Sequence, residues 1–239
     1  MFIIAKAKGS VKGMIRENKI NLTKNKNMLK EKINEFYLSN QKDRTQNRFF
    51  ISDAGKCHRQ IFYSFKNAPK KPIEPNFLRL FDLGNHVHQM IMRSLLNIKG
   101  IRVVAAEINI PPHGIISGRA DAILSVDKEF YVLDIKSMNS RAFGYLNEAK
   151  EDNVLQLRLY LYYFKINKGI LLYMNKDDLR LKEFIVDSDT KQVEKLLGEL
   201  NVLREQIDSN TLPSRLSDYP KNWRCRYCNF SSACKAIHK

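Results

Sequence analysis

Two aspartates and a lysine on neighbouring apolar runs have the types and spacing to do chemistry. Gly118-Arg119-Ala120-Asp121 lies on the first run and Asp134-Ile135-Lys136 on the second, with Asp127-Lys128 between them as a hairpin tip. A two- or four-residue loop centred there sets Asp121 opposite Asp134, and the period of two brings Lys136 to the same face. Opposed carboxylates repel, so a fold that keeps them needs a cation, a shared proton or solvent between them. Two carboxylates with water suit Mg²⁺ or Mn²⁺, which take oxygen ligands, and a nearby lysine can orient or deprotonate an attacking water. This is equipment for metal-assisted phosphodiester hydrolysis, although an isolated pattern of this kind also fits an exposed sheet face with scattered charges. The same register sets Arg119 opposite Lys136, which calls for a phosphate or a carboxylate nearby.

Other polar residues interrupt apolar surfaces. On a helix expected over Asn76–Leu96, the residues Phe77, Phe81, Gly84, His88, Ile91 and Leu95 form one stripe that His88 breaks, while His86 points away. Gln156 and Tyr160 share a face of the otherwise apolar helix Val154–Phe164, where an amide without partners costs about 1–3 kcal/mol. Something polar must meet them.

The four cysteines are Cys57 and the Cys225-x₂-Cys228-x₅-Cys234 group, whose first member is 168 positions after Cys57. In an intracellular chain such a set points to metal rather than disulfides. Spacing alone leaves both a Zn²⁺ Cys₄ site and a [4Fe–4S] cluster open. In either case Cys57 is tied to the C-terminal end as a clasp. Trp223, Arg224, Arg226 and Tyr227 around it suit stacking and phosphate contact with single-stranded nucleic acid, or equally packing around the metal.

The elements that must position these groups read as an α/β domain. Residues 5–27 are Lys- and Asn-rich and weakly periodic, which suggests mobility, and a short helix follows over Met28–Tyr37. A second helix, capped by Ser52 or Asp53, runs through Cys57 to Phe65. After Pro72 and Pro75 come the Asn76–Leu96 helix and strands Ile101–Ile110, Ile115–Val126 and Glu129–Lys136. Two more strands, Gly169–Met174 and Leu181–Val186, precede a helix over Thr190–Ile207, and Pro213 and Pro220 lead to the cysteines.

With 239 residues, 44% of them apolar, the chain can build a sizeable core, which excludes disordered and collagen-like classes. No run approaches the roughly 20 apolar residues of a membrane span. The opening Met1-Phe2-Ile3-Ile4 meets Lys6 and Lys8 too early for a signal peptide, so a soluble, cytoplasmic protein is expected. The net charge of +16 is uneven: residues 1–50 carry +8 and residues 211–239 carry +5, leaving the middle nearly balanced. This favours a polyanionic partner, nucleic acid before an anionic membrane surface.

Together, Gly84-x₃-His88, Gly118-x₂-Asp121, Asp134-x-Lys136 and Gln156-x₃-Tyr160 resemble the ordered motifs of RecB-like nucleases in the PD-(D/E)XK superfamily. The cysteine frame resembles that of its iron–sulfur members, in particular the fourth CRISPR-associated protein family and AddB-type nuclease modules. The resemblance spans about residues 50–239. It implies a restriction-endonuclease-like core, a mixed β-sheet flanked by helices, with a basic extension over 1–48, a nuclease core over 49–210 and a cysteine segment over 211–239. It further implies His88, Asp121, Asp134 and the Ile135 carbonyl as ligands of Mg²⁺ or Mn²⁺, and Lys136 as the catalytic lysine. Gln156 and Tyr160 would support the site, and the four cysteines would hold a [4Fe–4S] cluster. Ala120 stands where the superfamily name has proline, and Asp134 where glutamate is commoner; the shorter acid can alter metal preference.

A metal-dependent DNA exonuclease acting on single strands or ends is thus expected, in CRISPR spacer acquisition, repair or viral DNA processing. Its partners would be DNA and CRISPR integration proteins or a separate helicase, because the chain has no Gly-x₄-Gly-Lys-Ser/Thr loop of its own. The rival reading is a non-enzymatic DNA-binding subunit with a nuclease-like fold. Arg119, Trp223, Arg224, Arg226 and Tyr227 are the expected nucleic-acid contacts.

Overall fold

The computed structural model describes residues 28–41, 45–111 and 114–236; the stretch 5–27 expected to be mobile lies outside them. Its centre is a five-stranded sheet in the order β2 (Ile101–Asn109), β4 (Arg119–Val126), β5 (Glu129–Met138), β6 (Lys168–Asn175), β7 (Leu181–Asp187). All pairs are antiparallel except β5 with β6. The β4–β5 turn has two residues, Asp127 and Lys128, both at positive φ, as a hairpin matched to strand twist requires. The expected register follows, Ala122 pairing with Leu133 and Val126 with Glu129.

Between the parallel strands the chain crosses over through α5 (Glu151–Phe164), which ends where Lys165 turns left-handed at φ 56°. It packs on one sheet face with α2 (His58–Phe65) and α6 (Thr190–Asp208), which begins where the Asp189 side chain accepts the Gln192 N–H. The other face is covered by α3 (Pro75–Leu95), through Val87 and Ile91 against Ala122, Leu124, Leu133 and Ile135. The expected mixed sheet flanked by helices is the architecture found. Among the described residues no helix is long and apolar enough to cross a membrane.

Local expectations fail in four places. The helix expected from Ser52 or Asp53 is broken: a 3₁₀ turn over Ile51–Asp53 is followed by Gly55 at φ 74°, and α2 starts only after Cys57. Asp53 spends its carboxylate on the Phe50 N–H, Gln46 and Lys56. The strand expected over Ile115–Val126 divides at Gly118 into β3 (Ile116–Ser117), which pairs with β1 (Phe49–Phe50), and β4. A Cβ on Gly118 would lie 2.9 Å from Ile51, so glycine lets the 3₁₀ turn approach the strand.

The apolar stripe of α3 is buried only in its second half. Phe77 is 49% and Phe81 60% exposed, because that end pairs instead with α1 (Met28–Ser39), through Tyr37 to Asp82 and Arg79 to Asn34. Finally, the short helices α4 (Ser140–Gly144), α7 (Trp223–Arg226) and α8 (Ser231–Ala236) carry too few residues for a periodic signal.

Candidate active site

The β4–β5 ladder stops at Ala122 and Leu133, one step short of the aspartates, and the site occupies the fork. Asp121 and Asp134 are therefore not a ladder pair. Asp121 turns into the fork, where its Oδ2 accepts the Ile135 N–H at 2.6 Å and its Oδ1 lies 3.1 Å from His88 Nδ1. The hydrogen bond to Asp121 raises the His88 pKa against the opposing effect of burial.

Asp134 is 3% exposed, and burial pushes its carboxyl up to about 6 against the pull of Lys136. Lys136 Nζ stands 2.8 Å from Asp134 Oδ2 and donates to Gln156 Oε1 at 3.0 Å, while Gln156 Nε2 reaches Asp134 Oδ1 at 3.4 Å. This triangle is the polar company the Gln156 amide requires. One helical turn further, the Tyr160 hydroxyl donates to the Arg119 carbonyl at 2.7 Å, and burial raises its pKa. The structure thus brings His88, Asp121, Asp134, Ile135, Lys136, Gln156 and Tyr160 to one end of the β4–β5 fork.

The Arg119 guanidinium leaves this group and pairs with Glu107 on β2 at 2.6 Å. Glu107 is the nearby carboxylate that the register called for. It was not apparent in the sequence, because β2 pairs with β4 through a bulge between Val103 and Ala105 that shifts its alignment.

The thiols of Cys57 and of the distant Cys225, Cys228 and Cys234 line one cavity of about 220 Å³ together with Arg59, Tyr63, Arg215 and Arg224. Burial, then the neighbouring sulfurs, raise the Cys225 pKa, and burial also raises that of Cys228. Arg59 Nη1 lies 3.8 Å from Cys234 Sγ. Of the expected nucleic-acid contacts, Trp223 and Tyr227 are exposed, Arg226 borders the cavity, and Arg224 is held by Asp152 at 2.7 Å. The one trace of Asp152 in the sequence is its place four residues before Gln156.

Among the described residues, no three His, Cys, Asp or Glu side chains are arranged to hold a metal ion. The acids of the fork are turned onto protein donors instead. Two orphaned groups nevertheless fit bound species. Asp134 Oδ2 is buried without an aligned hydrogen bond despite its contact with Lys136, as suits a hard cation. The buried Tyr63 hydroxyl has no hydrogen-bond partner in a cavity lined by four soft sulfur donors, as suits a thiolate-bound metal or cluster.

Residues 83–235 match the family model of the PD-(D/E)XK nuclease superfamily, which takes in every residue of the fork and three of the cysteines, though not Cys57. The CRISPR-associated exonuclease Cas4 of Saccharolobus solfataricus is 29% identical over 215 residues, covering 87% of this chain and 96% of that protein. The solved structure of SSO0001 superposes with a TM-score of 0.56 at 24% identity, covering 87% of this chain and 97% of the other. The Laribacter hongkongensis alkaline exonuclease LHK-Exo, solved with dAMP, gives 0.52 at 11% identity, covering 85% and 99%. These two likenesses are of fold. With the motif residues gathered at the fork and the family model spanning them, the chain belongs to the PD-(D/E)XK nuclease superfamily.

Proposed function

We propose that the chain is a divalent-metal-dependent deoxyribonuclease that degrades single-stranded DNA or DNA ends as an exonuclease and carries a structural [4Fe–4S] cluster. The observation that carries this reading is the triangle of Asp134, Lys136 and Gln156 beside the Asp121–His88 pair. His88, Asp121, Asp134 and the Ile135 carbonyl would hold Mg²⁺ or Mn²⁺, which supplies charge for the phosphate and an acidified water. Lys136, steadied by Gln156, would orient that water for attack on the phosphate. Tyr160 holds the Arg119 carbonyl and with it the start of β4. Cys57, Cys225, Cys228 and Cys234 would hold the cluster, which joins a core over 49–210 to the segment 211–239.

The uneven charge, +8 over residues 1–50 and +5 over 211–239, would guide the DNA backbone toward the fork. Its place would be in CRISPR spacer acquisition, in repair or in viral DNA processing, in the cytoplasm, with CRISPR integration proteins or a separate helicase as partners; similarity to a CRISPR-associated exonuclease favours a CRISPR role. End-labelled single-stranded and blunt duplex DNA, incubated with Mn²⁺ or with EDTA, tests the reading. Metal-dependent release of short products from ends is expected; binding without cleavage would favour the non-enzymatic subunit.

A further inference from the structure

Both segments that bear the cysteines converge on one carboxylate of the helix that carries Gln156. Asp152 Oδ1 accepts from Arg224 Nη2 at 2.7 Å, and Arg224 immediately precedes Cys225 and lines the cysteine cavity. From the other side, the Asp152 carboxylate packs on Gly55, two residues before Cys57. Gly55 sits at φ 74°, and a Cβ there would collide with Asp152 Oδ1, so only glycine admits the contact.

The first turn of α5 depends on such outside contacts. Its N-cap, Lys150, makes no side-chain hydrogen bond to the helix start. The turn is held instead by Arg224 on Asp152 and by the Tyr173 hydroxyl, which accepts the Lys150 N–H at 3.2 Å and donates to Asn153 at 2.9 Å. Asp152 and Gln156 are four residues apart and share a helix face, so a shift of the first turn is felt at the amide that holds Lys136.

We propose that Asp152 and Arg224 are positioning residues of the nucleolytic site: their ion pair couples the cysteine clasp to the first turn of α5 and thereby sets where Gln156 holds Lys136. The inference rests on the nuclease reading above and deepens it. It assigns Arg224 an internal partner in place of a nucleic-acid phosphate. The pair is part-exposed, 27% for Arg224 and 36% for Asp152, so its effect falls on placement more than on stability.

The test uses the full chain with Asp152→Asn, Arg224→Ala, Arg224→Lys, and Asp152→Arg combined with Arg224→Asp. Cleavage of a labelled single-stranded oligonucleotide with Mn²⁺ is followed beside iron content and melting temperature. Asp152→Asn and Arg224→Ala should each lower kcat about tenfold or more, the scale of losses from supporting contacts, with KM, iron per chain and melting temperature unchanged. Arg224→Lys and the exchanged pair should recover part of the rate. Wild-type kcat in Asp152→Asn overturns the proposal, as does a rise in KM alone, which would make Arg224 a DNA contact, or a rate loss that merely tracks lost iron. If Asp152→Asn does not fold, Arg224→Lys against Arg224→Ala decides by the same criteria. An unaltered chain that fails to cleave overturns the nuclease reading itself, and this inference with it.

Discussion

The Asp121 carboxylate receives the Ile135 backbone N–H at 2.6 Å, in the place where β4 and β5 part. A side chain thus takes over from the ladder, and the acid is held at the mouth of the fork by a main-chain donor that cannot move away. Asp121→Ala should orphan that buried amide and destabilise the chain by about 1–3 kcal/mol, with cleavage lost. Asp121→Asn keeps an acceptor, so cleavage should vanish with little loss of stability. Urea unfolding beside the cleavage assay separates the two; equal destabilisation would mean that the amide bond contributes nothing.

Lys136→Ala should abolish cleavage while DNA binding and bound iron persist. It also leaves the buried Asp134 without its cation, a change that costs about 3–5 kcal/mol in comparable buried pairs. Retained cleavage in this variant would sink the assignment of Lys136.

Asp134 provides a pH signature in the metal-free chain. Its native pKa, pushed up by burial to about 6, exceeds the ordinary value of 3.8, so the native state binds the proton more tightly than the unfolded state. Stability from this group is therefore full below pH 4 and falls through pH 6, by about 3 kcal/mol in all. His88, also raised, adds loss in the same direction as pH climbs through its native pKa. In EDTA, Asp134→Asn should flatten the fall between pH 4 and 6, as read by chemical unfolding. Mn²⁺ should raise the melting temperature more at pH 7.5 than at pH 5, because at pH 5 it must displace the proton. A metal shift independent of pH would argue against Asp134 as a ligand.

The chain purified without oxygen should be brown and hold about four irons and four sulfides, the composition of one [4Fe–4S] cluster. Cys57→Ser should lose it as completely as Cys228→Ser, although Cys57 lies outside the residues that match the family model. A colourless protein with one zinc would replace the cluster with a Cys₄ zinc site.

Gly118→Ala should destabilise the chain by about 1–3 kcal/mol through overpacking, since its Cβ would press on Ile51 at 2.9 Å. Ile51→Ala, which removes Cγ1 and Cδ1, should relieve part of the loss in a double-mutant unfolding experiment. Additive losses would place the strain elsewhere.

Local information was sufficient for the groups and their order along the chain. A two-residue turn at Asp127-Lys128 dictates the β4–β5 register, and the near-continuous apolar run 154–164 dictates a buried helix; both follow from backbone geometry within a few residues. The same locality explains the failures. Nothing near Phe77 and Phe81 says that α3 overhangs the sheet there, and nothing in 52–65 except Gly55 marks the break in the helix. Only the tertiary structure decided that His88 meets Asp121, that Gln156 rather than a second acid steadies Lys136, and that four thiols share one cavity with Arg224 turned inward to Asp152. These are contacts between residues tens to hundreds of positions apart. Packing of whole helices on the sheet sets them, and no local period encodes that packing.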